Sequence, residues 1–204
     1  MEGKTTEARQ RTYAALARGT GVNDILDALV DAADIIIDLH DVGEYGQERV
    51  GEAEQAINAS LQAIEDKLAK SETKFNLSAT VGPVGLKGGN ILSLVVTSVL
   101  RSVGIKAVNL SKTQTALELL RNSEQLGADL VVPLLPRERV EEQLRGFLEE
   151  FERGGFGAKF ETIPLATRPP DAVQVNVVIA RNSAEAISKV TEWALKKERS
   201  QKPH

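Results

Sequence analysis

The chain of 204 residues contains no cysteine, which excludes disulfides, thiolate metal sites and cysteine nucleophiles and suits a reducing compartment. Histidine is nearly absent too, with His40 inside the chain and His204 at its end. One internal histidine with no identifiable serine partner rules out a Ser-His-acid set. The longest apolar run, Ile91 to Leu100, is far too short to span a bilayer, and Met1-Glu2-Gly3-Lys4 opens without the apolar core of a signal peptide. The expectation is a cytoplasmic protein that does not enter membranes. A net charge of −4 argues against a general nucleic-acid surface.

What is present divides into two parts. Residues 1 to 70 have helical periodicity and no strand signal. A first helix spans Thr5 to Ala17, and Asn23 caps a second that runs to about Asp41. After Gly43 and Gly46 a third continues to Leu68, its apolar stripe formed by Val50, Ala53, Ile57, Leu61, Ile64 and Leu68. Polar residues 71 to 74 read as a linker and hinge. From 75 to 204 strands alternate with helices, the pattern of a parallel sheet covered on both faces. Strands are expected near 76–82, 106–110, 129–134, 158–164 and 173–180, and helices near 89–103, 113–126, 137–153 and 183–197, the last capped by Asn182 and Glu185. The fold class is therefore α/β, a helical bundle followed by a flavodoxin-like (Rossmann-like) five-stranded parallel sheet.

In such sheets ligands bind beyond the carboxyl ends of the strands. The loop after the first strand, Gly82-Pro83-Val84-Gly85-Leu86-Lys87-Gly88-Gly89-Asn90, lies there. Its glycines permit close backbone approach, and Lys87 with the amides of the next helix suits an anion. The same glycines also serve plain helix-on-sheet packing. The loop is neither a Walker loop nor Gly-x-Gly-x-x-Gly, so ATP and NAD are poor candidates. Asp129 begins its strand and so stands at the wrong end for catalysis, and no paired carboxylates occur in the sheet half.

The stretch from Thr80 through Ile91, the helix to Gly104, and Gly127-Ala128-Asp129-Leu130-Val131 resemble the corrinoid (cobalamin)-binding domain of methyl-carrier proteins and cobalamin-dependent methionine synthase. That family's loop is Gly-Asp-x-His-x-x-Gly, with the histidine on cobalt. Setting its last glycine at Gly88 places Pro83 at the aspartate and Gly85 at the histidine, so the metal-ligating imidazole is missing. The resemblance also implies a serine or threonine after the third strand and a glycine pair after the fourth, packed around the nucleotide tail. Here Leu134 and Thr162-Ile163-Pro164 stand at those places. The implied cofactor-binding residues are Gly82, Gly85, Leu86, Lys87, Gly88, Gly89, Asn90 and Leu134. The implied function is a methyl carrier subunit of a methyltransferase system that binds cobalamin without a histidine lower ligand. The alternative is a cofactor-free paralogue acting as a protein-binding or regulatory subunit.

Asp24, Asp27, Asp31, Asp34, Asp38 and Asp41 recur at steps of three and four, which sets six carboxylates on one face of the second helix. Between residues 23 and 66 twelve acids face one base, Arg49. Such a face is either simply solvated or a docking stripe for a basic partner such as a methyltransferase; a homodimer is also compatible. His40 is read as a helix C-terminal residue favoured there by the dipole, or with Tyr45 as a cofactor contact from the bundle side. Trp193 is core or an interface anchor.

Overall fold

The structure is a computed structural model that describes residues 2–68, 75–85, 90–110, 115–135, 139–166 and 178–201. Three helices come first: α1 (Glu2–Ala17), α2 (Val22–Asp41) and α3 (Gln47–Leu68). Then follow β1 (Ser78–Pro83), α4 (Asn90–Ser102), β2 (Lys106–Asn109), α5 (Ala116–Gln125), β3 (Leu130–Leu135), α6 (Val140–Arg153), β4 (Glu161–Thr162), β5 (Leu165–Ala166) and α7 (Ser183–Gln201). All pairings are parallel, β1 lying between β2 and β3, with β4 and β5 both on the far side of β3. The expected α/β fold class is the one observed.

β1 and β3, the central strands, are buried on both faces, and their alternation feeds two cores. Leu130, Val132 and Leu134 of β3 point to one side, Val131 and Leu135 to the other. The second side is covered by α5 and α6 through Leu119, Leu120, Leu144 and Phe147, with Phe156 and Phe160 behind them. On the first side α4 lies directly on the sheet, with α7 beside it. α4 is apolar around almost its whole circumference because its outer face is covered in turn by α2 and α3. Ile25, Leu26, Val30, Ala33 and Ile37 of α2 and Val50, Ile57, Leu61 and Ile64 of α3 therefore join one continuous core with β1 and β3.

Three expectations change in detail. The cap of α2 is Gly21 rather than Asn23: the Asp24 carboxylate reaches back to accept the Gly21 N–H at 3.1 Å, which starts the helix at Val22. The fourth strand lies further along than 158–164 and is split into β4 and β5. Carrying the register on from Val131↔Thr162 sets Pro133 beside Pro164, and Pro133 lacks the N–H that the β3 ladder needs at this point, while the Pro164 carbonyl faces the other way and accepts from Ala180. The fifth strand, at 173–180, falls mostly outside the described residues. Its last residue, Ala180, bridges Leu165 in parallel, donating to Pro164 O and accepting from the Ala166 N–H, each at 2.8 Å. The 71–74 linker and its hinge also fall outside the described residues.

At the amino ends of the strands Asp129 is structural. Its carboxylate accepts from the backbone N–H and the hydroxyl of Ser78, at 2.8 and 2.9 Å, and ties β1 to β3. Asn182 caps α7 by accepting the Glu185 N–H at 2.8 Å, while the Glu185 carboxylate takes the N–H of Arg181 rather than that of Asn182.

The shared core yields a stability prediction. Leu26→Ala, in α2, should cost about 2–5 kcal/mol. Because α2 and the sheet share one core, far-UV ellipticity and the fluorescence of the lone tryptophan, Trp193 on α7, should report a single coincident urea transition in parent and variant. Separated transitions would mean that bundle and sheet unfold independently.

Candidate functional site

The carboxyl end of β1 is where the sequence places a ligand. Here the ladder runs on past the strand: Gly82 and Pro83 pair with Pro133 and Leu134, and the Val84 N–H donates to Leu134 O at 2.9 Å. Val84 is buried with Leu119, Leu135 and Phe147. A side chain on Gly82 has no room, since a Cβ there would stand 2.9 Å from Leu119 Cδ1, 3.2 Å from Leu110 Cβ and 3.3 Å from Leu110 O. The chain then emerges at Gly85, which is exposed and has φ +65°, a conformation that glycine adopts without strain. Leu86, Lys87, Gly88 and Gly89 lie outside the described residues, and Asn90 opens α4.

Beside Gly85 is an open groove of about 590 Å³ between the first turns of α5 and α6, lined by Val84, Gly85, Thr115, Glu118, Gln143 and Glu150 among others. Among the described residues the nearest side chain to Gly85 is that of Gln143, whose Oε1 would lie 3.5 Å from a Cβ there. Thr115 caps α5: its hydroxyl accepts the Glu118 N–H at 3.3 Å, and the Glu118 carboxylate accepts the Thr115 N–H at 3.0 Å. Those bonds hold the Glu118 carboxyl below its usual range. Across the groove, α6 begins at Arg139, the one described non-glycine residue with positive φ, at 55°.

Leu134, an implied cofactor contact, is only 1% exposed. Its side chain belongs to the core with Ile163, Leu165, Ala180 and Ala186, because β3 alternates it away from the α5–α6 side. The acidic residues of α2 are not equivalent either. Asp24, Asp27, Asp31 and Asp38 are exposed, and Ile35 stands among them, 57% exposed. Asp34 instead turns into the contact with α7, where the Ser183 hydroxyl donates to its Oδ1 at 3.0 Å. The sequence offers no signal for this, since the partners are 149 residues apart. His40 Nδ1 donates to Tyr45 O at 2.9 Å, and the Arg49 guanidinium lies 5.5 Å from the centre of the Tyr45 ring, so these residues close the α2–α3 turn. No cluster of three or more metal-binding side chains occurs among the described residues.

No protein-family model and no curated protein matches the chain. Among solved structures, the monomethylamine corrinoid protein of Methanosarcina barkeri aligns at 16% identity over 89% of this chain and 88% of its own, with a TM-score of 0.66. This chain has the fold of a corrinoid protein. A cobalamin-binding protein from Desulfitobacterium hafniense DCB-2 aligns at 16% identity over 93% of this chain and 98% of its own, with a TM-score of 0.47. A methanol:cobalamin methyltransferase complex from Methanosarcina barkeri aligns at 16% identity over all of this chain and 81% of its own, with a TM-score of 0.46.

A histidine-held corrinoid does not fit the residues present. Gly85 has no side chain to reach cobalt, and Pro83 offers no carboxylate to orient an imidazole. Leu134, at the position that the resemblance assigns to a serine or threonine beside the nucleotide tail, is sealed into the core.

Two substitutions check this geometry. Gly82→Ala should destabilise by roughly 1–3 kcal/mol, since Leu119 and the Leu110 backbone must move; an unchanged urea midpoint would show slack at the end of β1. Asp34 tests the contact with α7. Burial raises its carboxyl above the ordinary value, the Ser183 hydroxyl and backbone bonds oppose this, and Asp38 and Asp31 add to the rise. The folded protein thus holds the proton more tightly than the unfolded chain. Its stability is fullest below the unfolded value and falls as pH rises through the raised folded value. Asp34→Asn, still an acceptor for Ser183, should have a higher urea midpoint than the parent at pH 7 and lose that advantage below the ordinary carboxylate range. Equal midpoints at both pH values would remove the buried charge from the account.

Proposed function

We propose that this chain is a methyl-carrier-like subunit of a methyltransferase system that receives a corrinoid with the cofactor's own base still on cobalt. The observation that carries the reading is the corrinoid-protein fold extending over both the bundle and the sheet. A base-on corrinoid asks of the protein a surface rather than a ligand, and the exposed backbone at Gly85 beside the open groove offers one. Methyl transfer would reside in the corrinoid, and the chain's part is to bind and orient it. Exposed Asp24, Asp27, Asp31 and Asp38 would steer a basic face of the partner methyltransferase onto α2. The cysteine-free composition and the lack, among the described residues, of a helix long and apolar enough to cross a membrane are compatible with work in the cytoplasm.

A second reading, a cofactor-free subunit that only docks partner proteins, is favoured by the burial of Leu134 and the absence of a ligand at Gly85. Anaerobic titration with hydroxocobalamin and methylcobalamin, read by visible absorption and calorimetry, separates the two. The carrier reading expects saturable one-to-one binding with the base-on spectrum retained. Absence of binding at high micromolar cofactor would overturn it in favour of the docking subunit.

A further inference from the structure

We propose that the outer face of α2 is a seam for a basic helix of another protein, which packs along it in coiled-coil register. The inference rests on the reading of α2 as the docking face and deepens it by naming the kind of element that docks. It is indifferent to the corrinoid, since it holds for a methyl carrier and for a cofactor-free subunit alike.

α2 carries two apolar stripes. Leu26, Val30, Ala33 and Ile37 are buried and face the core. On the opposite face Ala28, Ala32, Ile35, Leu39 and Val42 follow at alternating steps of four and three, the spacing of a heptad seam. Ala28, Ile35 and Val42 are exposed, and Ala32 and Leu39 are half-buried. Val42 and Ile35, at 66% and 57%, are the two most exposed large apolar side chains among the described residues. A continuous apolar row held in water along one helix is the mark of a contact surface. Beside it Asp24, Asp31 and Asp38 recur at every seventh residue, and the last two immediately precede Ala32 and Leu39. That is the flank on which coiled coils carry the charges that choose a partner. The helix holds no lysine or arginine. Asp34, further round, is taken up by Ser183 and stays out of the contact.

The acid row decides the occupant. A second copy of this chain does not suit the seam, because an antiparallel twofold pairing would set Asp24, Asp31 and Asp38 of the two chains against each other. A parallel pairing would turn those acids toward Leu29 and Ile36, which pack against the chain's own core. A partner helix with apolar side chains along Ala28, Ile35 and Val42 and with lysine or arginine beside Asp31 and Asp38 satisfies both rows at once. Ala28 and Ala32 leave room for larger partner side chains at one end of the seam, and Ile35, Leu39 and Val42 call for smaller ones at the other.

The test uses the full chain and a synthetic three-heptad peptide, held helical by cross-links on its outer face, with leucine and alanine along its seam and lysine on the flank. A second peptide has the same composition and cross-links but its seam residues scattered around the helix. Binding is read by fluorescence anisotropy and located by the methyl resonances of Ala28, Ala32, Ile35 and Leu39. The expected result is saturable binding of the first peptide at those methyls, weakened roughly tenfold in Ile35→Ala and about threefold in Asp31→Asn. Tyr13→Ala, at a comparably exposed position on α1, should bind as the parent does. Both α2 substitutions are at exposed helix positions and should keep the far-UV ellipticity of the parent. Equal binding of the scattered peptide, or an unchanged affinity in Ile35→Ala, would overturn the seam and leave α2 a diffuse acidic surface. Self-association of the chain alone that Ile35→Ala abolishes would give the seam to a second copy and overturn the proposal as well. Binding of neither peptide would overturn the docking reading together with the seam. If the first peptide binds as expected and neither cobalamin does, the carrier reading falls and the seam stands.

Discussion

The burial of α4 on nearly all sides is the constraint on which the rest of the structure depends. Its apolar residues Ile91, Leu92, Val95, Val96, Val99 and Leu100 leave only a narrow strip with Ser98, Arg101 and Ser102 partly in water, so the sheet alone cannot satisfy it. α2 and α3 supply the missing cover, and their own stripes are apolar because they meet α4. At about 25 cal/mol per Å² of apolar surface removed from water, a helix pair laid along a third helix contributes a large share of the drive to fold. Lifting the pair away would expose both stripes at once. A domain movement in this chain would therefore have to keep α2, α3 and α4 together or break a continuous core.

That constraint also fixes what reaches the ligand end of the sheet. α4 begins after the loop that follows β1, so anchoring α4 on both faces anchors one end of the loop; the other is anchored by the ladder that carries Val84 onto β3. Asp34 and Ser183 add a polar tie between α2 and the first turn of α7. The tie carries an electrostatic penalty from burial, partly offset by its own hydrogen bonds and by the positive end of the α7 dipole. Among the described residues, the part of the site that stays open is the Gly85 side, where Gln143 stands at van der Waals distance.

Local patterns in the sequence carried much of this. The stripe from Val50 to Ile64 is a helix stripe and is buried as one, and the alternation in Leu130-Val131-Val132 marks a strand buried on both faces. Features that depend on register or on packing between distant elements were not legible. The split between β4 and β5 falls where Pro133 of β3 lacks a ladder N–H, which no reading of the fourth strand alone can reveal. Asp34 belongs to a helical repeat of carboxylates and only the docking of α7 removes it from that series. Likewise the loop glycines mark the ligand end of the sheet, but whether a slot lies beneath them depends on how Leu110, Leu119 and Leu134 pack.

The backbone at the ligand end of β1 is set by the packing beneath it. Gly85 sits at φ +65°, where a residue with a Cβ carries a penalty of roughly 1–2 kcal/mol. The cause lies one residue earlier: Val84 is drawn down onto Leu134 by its backbone bond and by burial against Leu119 and Phe147, so the chain must turn sharply to leave the sheet. The turn at Gly85 is thus set by the apolar side chains beneath it, and a change that loosened their packing would relax the turn as well.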